Sequence, residues 1–101
     1  MVLKNKYDIV IVGAGPAGIF TALEIVQSSS LTVLIIEKGK DIEKRVCPME
    51  HHKRCLNCSV CDILSGWGGA GAFSDGKLNL SPQIGGFLDK YVNRDKLIEL
   101  I

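Results

Sequence analysis

The chain has 101 residues, 47% of them apolar and 23% charged, with a net charge of +1. That length holds one domain at most, and the composition is that of an ordinary soluble globular protein. The balanced charge gives no case for a nucleic-acid partner or an anionic membrane surface. Lys4 and Lys6 precede an uncharged run from Ile9 to Leu23 that superficially looks like a signal peptide. The run contains three glycines and a proline and is ended by Glu24 after fifteen residues, too short to span a bilayer. A buried strand followed by a helix explains it better, so a cytoplasmic protein without a membrane partner is expected.

From Tyr7 to Glu37 the sequence reads YDIVIVGAGPAGIFTALEIVQSSSLTVLIIE. The β-branched run Ile9 to Val12 suits a buried parallel strand. The turn Gly13-Ala14-Gly15-Pro16-Ala17-Gly18 follows it. Ile19, Ala22, Leu23 and Val26 then fall at i, i+3, i+4 and i+7, one apolar face of a helix. Ser28-Ser29-Ser30 ends that helix, and Leu31 to Ile36 forms a second strand stopped by Glu37. The order predicts one βαβ nucleotide-binding unit.

In such a unit the first glycine permits the tight turn. The second lets a pyrophosphate approach the backbone, and the third lets helix and strand pack closely. The helix turns its unpaired N–H groups and positive dipole end toward the phosphates. Glu37 lies nineteen residues beyond Gly18, at the tip of the second strand, where a carboxylate can accept hydrogen bonds from a ribose diol. The same charge repels a 2′-phosphate, which makes NADP the least suited occupant.

One βαβ unit supplies two parallel strands, whereas parallel sheets normally have more strands and helices on both faces. The last residues, Lys96 to Ile101, are apolar and helix-like with no capping signal. The expectation is therefore an N-terminal part of a larger protein.

Past Glu37 the composition becomes basic, with Lys38, Lys40, Lys44, Arg45, Lys53 and Arg54 against Asp41, Glu43 and Glu50. A solvated loop face is the simplest account of most of these charges. Asp41 to Val46 suggests a short helical turn. All four cysteines, Cys47, Cys55, Cys58 and Cys61, then fall within fifteen residues as CPMEHHKRCLNCSVC. Such clustering disfavours disulfides and points to metal or redox chemistry. The overlapping CxxC units resemble the run that holds ferredoxin-type iron–sulfur clusters. Zinc, with His51 or His52 as a substitute ligand, a thiol–disulfide relay and unligated thiols are the alternatives.

The segment Gly66 to Leu78 holds five glycines in eleven residues, interleaved with Trp67, Ala70, Ala72 and Phe73. The apolar residues argue against a solvated linker. Successive backbone N–H groups there suit an anion-binding nest or close passage along a ring system. Ser74, Asp75 and Lys77 are candidate polar contacts, or simply turn residues. Asn79 to Gly86 reads as a loop, and Phe87, Leu88, Tyr91 and Val92 recur at helical spacing, predicting a further helix.

VIVGAGPAGIFTALE with the acidic end of LTVLIIEK resembles the N-terminal FAD-binding unit of two-dinucleotide-binding-domain flavoproteins. CPMEHHKRCLNCSVC followed by GWGGAGAFSDGKLNLS is similar, more narrowly, to the FAD-dependent dehydrogenases known as NAD(FAD)-utilising. The likeness runs from about Tyr7 to about Leu88. It implies an α/β fold, the N-terminal part of a Rossmann-like FAD-binding domain with a Cys-rich loop insertion. Residues 1–37 would be the nucleotide-binding unit, 38–65 the basic and Cys-rich loop, 66–86 the flavin-contact loop and 87–101 a helix. FAD would be held by Gly13, Gly15, Pro16, Ala17 and Gly18 at its pyrophosphate and by Glu37 at its adenosine ribose. Lys38 follows as in many of these proteins, and Gly68 and Gly69 take the place of a second flavin contact. The rest of the sheet, the later Gly-Asp motif and the substrate domain would belong to a missing C-terminal half, with NAD(P)H or an electron-carrier protein as electron partner. No side chain in this chain is expected to act as the catalytic acid or base, because the flavin carries the chemistry. The four cysteines would hold an iron–sulfur cluster or zinc nearby. The competing readings are an NAD-binding dehydrogenase fragment with structural zinc and a non-catalytic, metal-binding half of a split flavoprotein.

Overall fold

A computed structural model describes residues 4–74, 76–77, 79–81 and 83–101. Expectations that fall on Asp75, Leu78 and Pro82 lie outside the described residues. The fold is mixed α/β. Strand β1 (Ile9–Val12), helix α1 (Pro16–Ser28) and strand β2 (Val33–Ile36) come first. The strands pair in parallel, with Ile9 opposite Val33 and Val12 opposite Ile36. Among the described residues this two-stranded sheet is joined by two further short helices, α2 (Met49–His52) and α3 (Arg94–Leu100).

Local chemistry sets the limits of these elements. Gly15 is extended ahead of α1, and Pro16 occupies its first turn, where a missing N–H costs no hydrogen bond. At the other end the Ser28 and Ser29 hydroxyls donate back to the carbonyls of Glu24 and Ile25, each at 2.6 Å. Such back-bonding competes with continuation of the helix, and Ser29 leaves it in an extended conformation. A clip then closes the near end of the sheet. Thr32 donates its N–H (2.8 Å) and its hydroxyl (2.7 Å) to one oxygen of Asp8. These bonds, the backbone one foremost, hold the Asp8 carboxyl below its ordinary pKa.

Helix α1 packs on both strands, but with a narrower stripe than the spacing predicts. Ile19, Ala22 and Ile25 are half-buried, whereas Leu23 and Val26 are exposed. Two strands present too small a surface to cover the wide apolar face. The sheet is likewise covered on one side only. Ile9 and Ile11 are half-buried, while Val10 and Val12 on the opposite face are 52% and 84% exposed. Buried apolar residues reduce to Ala14 and Leu97 among those described.

The C-terminal region departs from the predicted helix at Phe87. A single 3-10 turn spans Leu88–Lys90, and α3 begins only at Arg94. The cause is Asn93, whose side-chain oxygen accepts the Asp95 N–H at 2.8 Å and so caps a new helix. Phe87, Leu88 and Tyr91 are exposed instead of forming a face. No helix among the described residues is long and apolar enough to cross a membrane.

Candidate functional site

The turn after β1 is shaped by two glycines. Gly13 has φ of +103°, a conformation that L side chains rarely adopt, and its N–H continues the sheet by donating to Ile36 O at 2.7 Å. Gly18 lies against the Gly13 carbonyl, where any Cβ would collide with that oxygen. The helix can approach the strand so closely only because position 18 has no side chain. Gly15, in contrast, has nothing within 4 Å of where its Cβ would stand. It borders a cleft of about 400 Å³.

The cleft has three walls. Gly13 and Gly15 form one, Ile36, Glu37 and Lys38 at the end of β2 form the second, and Leu64, Ser65, Gly66 and Gly69 form the third. The second glycine-rich segment is therefore beside the first. Gly69 stands over Gly15, such that a Cβ on it would be 3.1 Å from Gly15 Cα. Gly68 donates its N–H to Ala14 O at 2.8 Å. The 3-10 turn Gly69–Phe73 then carries the chain past Pro16, whose ring would lie 3.4 Å from a Cβ at Gly71 and which does not line the cleft. Ala17 is exposed on the first turn of α1.

Glu37 is the polar centre of this arrangement. One carboxylate oxygen accepts the Ala14 N–H at 2.7 Å; the other accepts those of Gly39 at 2.9 Å and Gly66 at 3.0 Å. The bond from Ala14, then that from Gly39, keeps the carboxyl below its ordinary pKa, with smaller help from Gly66 and Lys38. A carboxylate offers about four lone-pair directions. Three are used by the backbone, and Glu37 still borders the cleft. The sequence assigned this acid to a ligand alone and missed that it first ties three loops together.

Arg45 was also missed, being placed on a solvated loop face. It is 5% exposed. Its guanidinium donates to the carbonyls of Asp62 (2.8 Å), Ile63 (2.8 Å) and Trp67 (2.7 Å) and stacks over the Phe73 ring at 4.7 Å. Beside it Lys40 Nζ meets the carboxylate of Asp62 at 2.6 Å, and this bond, first among several, depresses the Asp62 pKa. No local periodicity signals these partners, which lie about twenty residues apart.

The four cysteines are free. Cys47 and Cys61 are half-buried, and Cys55 and Cys58 are exposed. Among the described residues no group of three or more His, Cys, Asp or Glu side chains is placed to hold a metal ion. The expected convergence of Cys47, Cys55, Cys58 and Cys61 is thus not found. The short helix α2 and the left-handed turns at Lys53 and Asn57 intervene between the first and last thiols. His51 and His52 are exposed on that helix. As arranged, these residues do not fit an iron–sulfur cluster or zinc.

No family model and no solved structure gives a significant match to the chain. Two curated relatives do. An uncharacterized protein of Clostridium beijerinckii is 41% identical over 70 residues, 68% of this chain and 13% of that protein. A digeranylgeranylglycerophospholipid reductase of Methanosarcina mazei is 41% identical over 59 residues, 57% of this chain and 14% of that protein. The chain therefore spans about one-seventh of the length of the relatives it matches.

Proposed function

We propose that this chain forms the ADP-binding part of an FAD-dependent oxidoreductase, as the first segment of a Rossmann-like domain. The observation that carries the reading is the meeting, at one cleft, of a bare Gly15 at the start of α1 and an ionised Glu37 at the end of β2. No acidic side chain occupies the first turn of α1, so nothing there opposes an anion. Gly13 and Gly15 leave room for a pyrophosphate, Gly18 lets α1 approach the strand closely enough to face it, and Pro16 and Ala17 fix the helix start. Glu37 keeps one lone-pair direction for a ribose hydroxyl, and Lys38 beside it adds positive charge at the rim. Gly69 closes the cleft from the opposite side, with Gly68 tied to Ala14 beside it. The reductase relative, 41% identical over 59 residues, supports the oxidoreductase half of the reading.

Bound FAD supplies hydride or electron transfer at its isoalloxazine ring. The residues of this chain bind and orient; none is assigned a proton-transfer step.

The test is the absorption spectrum of the protein purified at its natural length. Two resolved flavin bands are expected, together with their loss in Gly15→Val, whose side chain would enter the cleft. A colourless wild-type protein that binds NAD instead would overturn the FAD assignment.

A further inference from the structure

We infer that Arg45 is a positioning residue that builds the third wall of the cleft, holding residues 62–69 against the phosphate-binding turn before any ligand arrives. The inference deepens the flavin reading, on which it rests for the identity of the ligand but not for the geometry.

The wall has few supports of its own. Residues 62–67 form no strand or long helix, so their carbonyls have no ladder to join. Three of those carbonyls converge on one side chain, at residues 62, 63 and 67, each within 2.8 Å of a different guanidinium nitrogen. Only a planar fork with several rigid donors serves three acceptors at once; an ammonium acts as a single point charge. The Phe73 ring covers the guanidinium, which excludes water from the same bonds. On the cleft side the wall is drawn inward by Gly66 N–H to Glu37, Gly68 N–H to Ala14 and Trp67 N–H to Lys40 O, the last at 3.0 Å. Arg45 thus grips the outer edge of a segment whose inner edge grips the turn. Gly66 shows how tight the fit is. A Cβ there would lie 2.7 Å from Arg45 Cδ and 2.6 Å from Lys40 O.

Removing the guanidinium would orphan three main-chain carbonyls while leaving both strands and α1 intact. Gly69 would then lose its fixed place over Gly15. Loss of a hydrogen bond to a charged group shifts an equilibrium about tenfold.

The experiment compares wild type, Arg45→Met, Arg45→Lys and Gly66→Ala in the protein at its natural length, with Asp8→Asn as a control. Asp8 clips the sheet where the strands begin, at the end opposite the cleft, and does not line it. Amide hydrogen exchange is followed without ligand, and FAD affinity by flavin fluorescence. In Arg45→Met, faster exchange confined to residues 62–73 is expected, with FAD bound about tenfold more weakly. Arg45→Lys keeps the charge but should not restore the protection, and Gly66→Ala should repeat the defect from the other side. Asp8→Asn should loosen β1 and β2 and leave FAD affinity unchanged. If Arg45→Met, or Arg45→Lys should the former not fold, exchanges over 62–73 as wild type does, the inference is overturned. It is also overturned if the loss spreads evenly over the strands, or if FAD affinity is unchanged. A wild-type protein that binds no FAD, with the local exchange defect still present in the variants, upholds Arg45 and sinks the flavin reading alone.

Discussion

Glu37 shows how one side chain joins fold and site. Its carboxyl is held below the ordinary value because the charged form receives three backbone N–H bonds. A lowered folded pKa gives stability that is complete above the ordinary carboxylate range and is lost as pH falls through the lowered value. Glu37→Gln should therefore be less stable than wild type at neutral pH, with the difference shrinking on acidification below about pH 4.5. Thermal melts at stepped pH measure this. A constant gap between the two proteins down to strong acid would refute the assigned role. The same variant should bind FAD roughly tenfold more weakly, since it exchanges a charge-assisted acceptor for a neutral one.

At the scale of elements, what could be read from the chain depended on how local the signal was. The strand, turn, helix and second strand announce themselves through Ile9 to Val12, Gly13 to Gly18 and Leu31 to Glu37, because each is specified by near neighbours. Asn93 was equally local and was passed over in favour of the apolar spacing at Phe87, Leu88, Tyr91 and Val92. The bonds of Arg45 and the Lys40–Asp62 pair join distant residues and leave no periodic trace. For the cysteines, spacing told how near the thiols are along the chain but not which way they face. With Cys55 and Cys58 exposed and Cys47 and Cys61 half-buried, brief alkylation by iodoacetamide should label the first two before the others. Mass spectrometry of the digested protein reads the order. Protection of all four until a chelator is added would restore the metal-centre reading.

The whole molecule carries more apolar surface outward than a stable monomer of this size normally does. Val12, Phe20 and Tyr91 are 84%, 68% and 85% exposed, and the free face of the sheet is open. Large apolar side chains exposed to this degree favour cover by another surface. The 101-residue chain expressed by itself should therefore bind a hydrophobic dye strongly and melt without a sharp transition. A steep, dye-silent unfolding curve would show that this core suffices.

If the cleft holds FAD as proposed, the triple attachment of Glu37 bears on any attempt to redesign it for another nucleotide. The acid at the end of the second strand is the natural place to exchange preference between unphosphorylated and 2′-phosphorylated ligands. Here, a basic or apolar replacement would remove the acceptors that link Ala14, Gly39 and Gly66, and a neutral one would weaken them. Engineering would have to begin at Lys38, which borders the same cleft, and leave Glu37 in place as a keystone.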